Sequence, residues 1–195
     1  MKNTKVLLAI KKKWLEKYNE LSVIVMKKYD CKVILCGPAI GKTYLAEHDD
    51  RFVDVDGMRA RYKYNIQDIS NKEFEEGKYN RGQAVNHGST EYAINLLNET
   101  LKDNKIALIS YQPEVLNYVI NSNIDYCLVY ADISLREEYK KRMEDRGNKE
   151  EFVNAMTNEK DWKEFYNLDE NDTRPKYKIK LQKGEYLSDI KDYFI

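Results

Sequence analysis

Lys32-Val-Ile-Leu-Cys36-Gly-Pro-Ala-Ile-Gly41-Lys42-Thr43-Tyr44-Leu-Ala46 is the stretch on which the reading of this chain turns. Its first five residues form a short, β-branched apolar run that stops at Gly-Pro, which predicts a buried strand feeding a loop. Its last residues open a helix. A turn of backbone N–H groups at a helix N-terminus cradles anions, a lysine adds positive charge beside it, and a threonine hydroxyl can ligate Mg²⁺. The residues in those places are Gly37, Pro38, Ala39, Ile40, Gly41, Lys42, Thr43 and Tyr44. The spacing G-x-x-x-x-G-K-[ST] is met in length only with Cys36 in the first glycine's place, because Gly37 lies one residue too close to Gly41. The competing readings are a turn with a chance Gly-Lys-Thr and a nucleotide loop with damaged chemistry.

Outward from this stretch, apolar runs and helical stripes alternate. Upstream, Leu7, Ile10, Trp14, Tyr18, Leu21 and Val25 recur every three or four residues among Lys and Glu, predicting one amphipathic helix. Downstream, Phe52 to Val55, Ile106 to Ile109, Tyr126 to Tyr130 and Tyr177 to Leu181 read as strands. Between them lie a polar stretch from Met58 to Gly88 without a clear period, a helix that Ser89 can cap, with Ala93, Leu96, Leu97 and Leu101 inward, and a helix after Pro113. Ser134 and Glu137 have capping-box spacing, Gly147 supplies a stop, and Phe152, Met156, Trp162 and Phe165 mark a further helical region. Tyr186 to Phe194 reads as a closing helix. This alternation predicts an α/β fold, a parallel sheet covered on both faces. Ligands in such folds sit at the carboxyl ends of strands, so the chemistry is sought in the loops after Cys36, Val55, Ile109 and Tyr130.

Composition narrows the function classes. The chain has 195 residues, 42% hydrophobic and 34% charged, with 33 basic and 33 acidic side chains. That is one domain's length, and such a chain buries about 70% of its unfolded surface without needing a disulfide or metal. Zero net charge argues against a protein built mainly to hold duplex nucleic acid, whose phosphates demand clustered Lys and Arg. Cys31, Cys36 and Cys127 are odd in number, and the last two lie in apolar runs; they read as buried hydrophobes in a reducing compartment. With no run of about 18 apolar residues and no secretory signal pattern, the expectation is a cytoplasmic protein without a membrane partner.

Two further groups of residues carry chemistry. Asp54 and Asp56 flank Val55, and a spacing of two on a strand puts both carboxylates on one face, where they can hold Mg²⁺ or orient an acceptor. A plain Asp-Gly turn is the alternative. The third strand ends in Ser110-Tyr111 without an acid, which raises the stake on that pair. Arg59, Arg61 and Lys63, with Arg81 further on, are candidates for a second phosphate, since guanidinium groups take phosphate bidentately. Arg142 and Arg146 share a helix face and form a candidate clamp on transferring phosphate, against which stands an ordinary Glu138–Arg142 helix pair. His48 and His87 show no ligand spacing.

Taken together, C-G-P-A-I-G-K-T-Y-L-A, F-V-D-V-D, I-S-Y-Q-P-E-V-L and Y-A-D-I-S-L-R-E-E-Y-K-K-R-M-E-D-R-G-N resemble the phage-type P-loop nucleotide kinases, the nucleoside and deoxynucleoside monophosphate kinases. The resemblance covers Lys32 to Ile195. It implies an adenylate-kinase-like three-layer sandwich with a five-stranded parallel sheet over residues 30–195, a lid at about 134–166, and an appended helix over residues 1–29. It also implies that Lys42 and Thr43 hold ATP and Mg²⁺. Asp54 and Asp56 take the Asp-x-Asp place of shikimate-type kinases, and Arg142 and Arg146 belong to the lid. Cys36 in the loop and Gly57, where a Ser is common, depart from the pattern, and Met26-Lys27-Lys28 reads like the start of a shorter relative. The expected activity is Mg²⁺-dependent phosphoryl transfer from ATP to a nucleoside or deoxynucleoside monophosphate. A kinase for a polynucleotide 5′-hydroxyl or another small-molecule hydroxyl, and a nucleotide-binding module without turnover, are the alternatives. A homodimer through the N-terminal helix is a further expectation.

Overall fold

A computed structural model describes residues 28–55 and 89–195, and the fold follows from where the apolar runs go. The strands are β1 (Val33–Cys36), β2 (Phe52–Asp54), β3 (Ile106–Ile109), β4 (Cys127–Ala131) and β5 (Tyr177–Leu181), close to the predicted runs. They form one sheet in the order β2-β3-β1-β4-β5, with every pairing parallel. Every residue of β1 and β3 is buried, as expected for strands covered on both faces. At the edge, β5 buries only Leu181.

Six α-helices lie among the described residues: α1 (Lys42–His48), α2 (Ser89–Lys102), α3 (Pro113–Asn121), α4 (Arg136–Asp145), α5 (Glu150–Thr157) and α6 (Glu159–Asn171). The connection through α1 runs outward from β1 to β2, whereas those through α2 and α3 run back across the sheet. Right-handed crossovers therefore put α1 on the face opposite α2 and α3, consistent with a three-layer sandwich. Pro113 sits at the start of α3, where its missing N–H costs nothing, and Val115 and Val119 point inward one turn apart. Each such burial stabilises by about 1.5–3 kcal/mol. Cys31, Cys36 and Cys127 are buried thiols of the core, outside any disulfide.

Three local expectations are corrected. Ser134 does not cap α4: Asp132 caps a 3₁₀ turn at Ile133–Leu135, accepting from the Ser134 N–H at 2.9 Å and its hydroxyl at 2.6 Å. Asp132, two residues before Ser134, is the cap because the chain enters the helix through that turn. The helical region after Gly147 is two helices, because Asn158 takes extended backbone and caps α6 through the Asp161 N–H. The closing helix is two 3₁₀ turns, Leu187–Asp189 and Lys191–Tyr193. Tyr29, assigned to the N-terminal extension, packs with this end of the core: its N–H donates to Tyr193 O at 2.6 Å and its carbonyl accepts from Ile195 N–H. The amphipathic helix before Lys28, and Asp56, Arg59, Arg61, Arg81 and His87, lie outside the described residues.

Candidate functional site

β1 lies between β3 and β4, the point where successive connections leave in opposite directions. In open α/β sheets the crevice at such a switch point, outside the carboxyl ends of the strands, is where ligands bind. The loop that leaves β1 there is the Cys36–Thr43 stretch. It turns tightly, with Ala39 at φ 58° and Gly41 at φ 99°. A non-glycine residue at positive φ is strained, and such strain clusters at functional sites. Gly41 then starts α1, accepting the Leu45 N–H at 3.0 Å, and no side chain caps the helix. The N–H groups of the first turn are thus left to the loop's own concavity.

Lys42 folds back over the loop. Its ammonium donates to Gly37 O at 2.8 Å and Cys36 O at 3.3 Å. Thr43 reaches the other way, its hydroxyl donating to Asp54 Oδ2 at 2.8 Å. The two residues that the sequence assigned to Mg²⁺ therefore meet, one from the start of α1 and one from the end of β2. A hydroxyl and a carboxylate are oxygen donors of the kind Mg²⁺ prefers, and that ion is usually held by one or two carboxylates together with substrate phosphates and water. Among the described residues no cluster of three or more His, Cys, Asp or Glu side chains forms a self-sufficient metal cage.

Arg142 and Arg146 do not lie side by side on an open helix face. Arg146 is exposed at the end of α4. Arg142 is 8% exposed, paired through Nη2 with the Glu138 carboxylate and with Glu185 O at 2.9 Å. Its guanidinium lies 3.7 Å from the Tyr186 ring centroid and 4.8 Å from that of Tyr139. Glu138 also accepts the Gly184 N–H at 3.0 Å. The expected i,i+4 pair exists, but its partner is the loop after β5. That loop in turn leans on the candidate phosphate loop: Leu187 N–H donates to Ile40 O at 3.0 Å, and a Cβ on Gly41 would lie 3.6 Å from the Tyr186 ring. Among the described residues, Nε and Nη1 of Arg142 and the Tyr139 hydroxyl are buried without a hydrogen-bond partner. Donors of this kind are expensive to leave unmet, so they mark a spot with spare capacity for an acceptor.

Sequence reasoning missed the third wall. Tyr111, two residues past β3, packs its ring beside Gly37 and donates its hydroxyl to Asp169 Oδ1 of α6 at 2.6 Å. Tyr111 is 44% exposed. Burial pushes the Asp169 carboxyl up to about 6, although the Tyr111 bond pulls the other way; Asp172 raises it further and Lys178 lowers it. Burial, then Asp169, pushes the Tyr111 phenol well above its ordinary value. The position of Tyr111 after the third strand pointed to the site. Nothing in the local sequence of Asp169 did, because its role depends on which strand α6 crosses.

No family model and no curated protein matches this chain. Among solved structures it is similar to an uncharacterized protein from Eubacterium ventriosum ATCC 27560, with 19% identity and a TM-score of 0.39 over 85% of this chain and 96% of that one. Among the described residues no helix is long and apolar enough to cross a membrane.

Proposed function

We propose that this chain is a nucleotide kinase that transfers the γ-phosphoryl group of ATP to a nucleoside or deoxynucleoside monophosphate. The observation that carries the reading is the convergence at the carboxyl end of the central strand of three things. These are a tight loop with two positive-φ residues, the Lys42 ammonium, and the Thr43–Asp54 contact at 2.8 Å. A phosphate placed in the loop meets the amides that open α1, and Lys42 exchanges carbonyl partners for phosphate oxygens. That exchange puts a full charge where negative charge grows, which is the kind of stabilisation phosphoryl transfer needs. Thr43 and Asp54 would hold Mg²⁺, which bridges phosphate oxygens and neutralises their charge when bound. Arg146, exposed at the end of α4, is free to swing toward the phosphates, whereas Arg142 is bound to the loop after β5. Asp56, Arg59, Arg61 and Arg81 are proposed for the acceptor on sequence grounds alone.

The experiment is an ATP-consumption assay against ribo- and deoxynucleoside monophosphates and a 5′-hydroxyl oligonucleotide, with and without Mg²⁺. Consumption that needs both Mg²⁺ and a monophosphate supports the reading. Consumption with the oligonucleotide alone would move the acceptor to a polynucleotide end, and ATP binding without turnover would leave a nucleotide-binding module.

A further inference from the structure

The kinase reading leaves the contact between Tyr111 and Asp169 unused, and topology gives it meaning. Tyr111 belongs to the loop after β3, and Asp169 to α6, which packs on β4. Since β3 and β4 flank β1, a bond between them passes over β1, and the Tyr111 ring rests beside Gly37 where the candidate phosphate loop begins.

The way α6 is held sharpens the point. None of its residues is buried. It is tied on the β4–β5 side by polar contacts: Trp162 Nε1 to Ile133 O at 2.8 Å, Tyr130 OH to the Glu170 carboxylate at 2.7 Å, and Lys180 Nζ to Tyr166 OH at 2.9 Å. The Tyr111 hydroxyl ties it in the other direction, toward the site. A tyrosine ring with its exposed edge at the crevice and its hydroxyl anchored is a wall with one hinge, and the anchor decides where the wall stands.

We propose that Asp169 is a positioning residue that, through its hydrogen bond to the Tyr111 hydroxyl, fixes the Tyr111 ring as the wall of the site beside Gly37 and so sets acceptor geometry for transfer. The proposal rests on the kinase reading given above. A misplaced wall removes no donor from the phosphate loop, Lys42 or Thr43, so it acts more on turnover than on ATP binding.

The pair carries its own signature. Held in place, Asp169 is faced by Tyr111 from the loop after β3, Lys178 from β5 and Asp172 beyond the end of α6, and Cys36 of β1 lies near the Tyr111 ring. Lys178 is committed to the carbonyls of Glu170 at 2.6 Å and Asp172 at 3.2 Å, and does not neutralise the carboxylate by direct contact. Burial raises the Asp169 carboxyl to about 6, whereas the Tyr111 hydrogen bond lowers it, so that bond favours the charged carboxylate, the stronger acceptor. The pair is therefore held more tightly above pH 6, where Asp169 is ionised, than below it.

The test uses the full chain with Asp169→Asn and Tyr111→Phe. Amide hydrogen exchange of residues 109–112, the loop that carries Tyr111, is corrected for intrinsic rates and measured at pH 5 and pH 8 without nucleotide. ATP affinity, kcat and acceptor KM are measured across the same range. In the wild type protection should rise from pH 5 to pH 8. Asp169→Asn, neutral throughout, should show no such rise, and Tyr111→Phe should lose roughly tenfold in protection at pH 8, the worth of one hydrogen bond. Tyr111→Phe should lower kcat by roughly tenfold through misplaced geometry, with ATP affinity within about twofold of wild type. The rise of kcat through pH 6 that this anchor gives should vanish in Asp169→Asn. Exchange and kcat profiles that superimpose on wild type in both variants would overturn the proposal. A wild type that binds no ATP would instead overturn the kinase reading and the transfer role with it, while the exchange data still decide whether the pair holds the wall.

Discussion

The two sides of the candidate site are built by different physics. On one side the loop Cys36–Thr43 hangs from β1, whose four residues are buried beneath helices on both faces, so apolar packing fixes where the loop starts. On the other side stands the arm of α4, α5 and α6, which meets the site through polar contacts: Arg142 to Glu138 and Glu185 O, and Tyr111 to Asp169. Apolar packing is nondirectional and survives small shifts of a side chain. A buried polar tie depends on geometry, and it leaves a costly orphan when one partner goes. The loop side should therefore fail in chemistry when mutated, and the arm side in stability or pH response.

The largest effect should come from the loop side. Lys42→Ala should leave the melting temperature close to wild type, because among the described residues its Nζ hydrogen bonds go to two loop carbonyls, at 2.8 Å and 3.3 Å. Turnover should fall by roughly 10²–10³-fold, the usual loss for one preorganised group that meets developing charge. Circular dichroism and a coupled ATP assay on the same preparation separate the two. Wild-type turnover in a folded variant would break the loop side of the comparison.

Arg142→Ala and Arg146→Ala come next, and they should differ in kind. Removing Arg142 strips the Glu138 carboxylate and Glu185 O of a partner in a site only 8% exposed at Arg142 itself. Breaking a buried pair in this way costs about 3 kcal/mol, which for a chain of this size lowers Tm by roughly 6–12 °C. Arg146 is exposed, and its removal should change stability by less than about 0.5 kcal/mol. If Arg146 closes on the phosphates, its variant keeps its Tm and loses turnover. The reverse assignment, with a normal Tm for Arg142→Ala, would mean that the loop after β5 holds its place without α4.

Legibility in the sequence divides along the same line. The strands were readable because Val33 to Cys36 and Ile106 to Ile109 are buried on both faces and appear as unbroken apolar runs. Thr43 and Asp54 were readable as partners because a loop motif and a strand end carried them separately to the same edge. The Tyr111–Asp169 contact spans 58 residues and depends on strand order, which periodicity does not encode. The closing helix was misread because Leu187, Ile190 and Phe194 are spaced as a helical stripe, yet the same burial is met by two 3₁₀ turns. Arg142 reads as a clamp with Arg146 because the two share a helix face one turn apart, whereas its burial comes from Glu185 and Tyr186, more than forty positions away.

Asp169 gives a smaller and purely pH-dependent effect. Burial raises its carboxyl to about 6, so the folded chain holds that proton more tightly than the unfolded chain. The stability this provides is fully present below pH 4 and is lost as pH rises through 6. Asp169→Asn should flatten that part of the profile and be the more stable protein at pH 8, by about 1–2 kcal/mol once partial exposure is allowed for. Thermal melts of both proteins from pH 4 to pH 8 measure it. A constant Tm difference across that range would show that Asp169 does not titrate differently on folding.

The smallest effect returns to the loop, where strain and packing oppose each other. Ala39 is buried at 6% exposure and sits at φ 58°, a conformation that costs an L-residue roughly 1–2 kcal/mol. Glycine removes that strain but gives the unfolded chain more freedom, which costs about 0.4–1 kcal/mol, and it forfeits one buried methyl group. Ala39→Gly should therefore lie within about 1 kcal/mol of wild type. Gly41→Ala has no such offset: at φ 99° the backbone is strained for any L side chain, and the added Cβ, 3.6 Å from the Tyr186 ring, gains only ordinary contact. The two variants should bracket the wild type unequally, with Gly41→Ala losing more in Tm and in ATP affinity than Ala39→Gly. If Ala39→Gly proves the more damaging, the methyl group's packing, and not backbone strain, sets the shape of the loop.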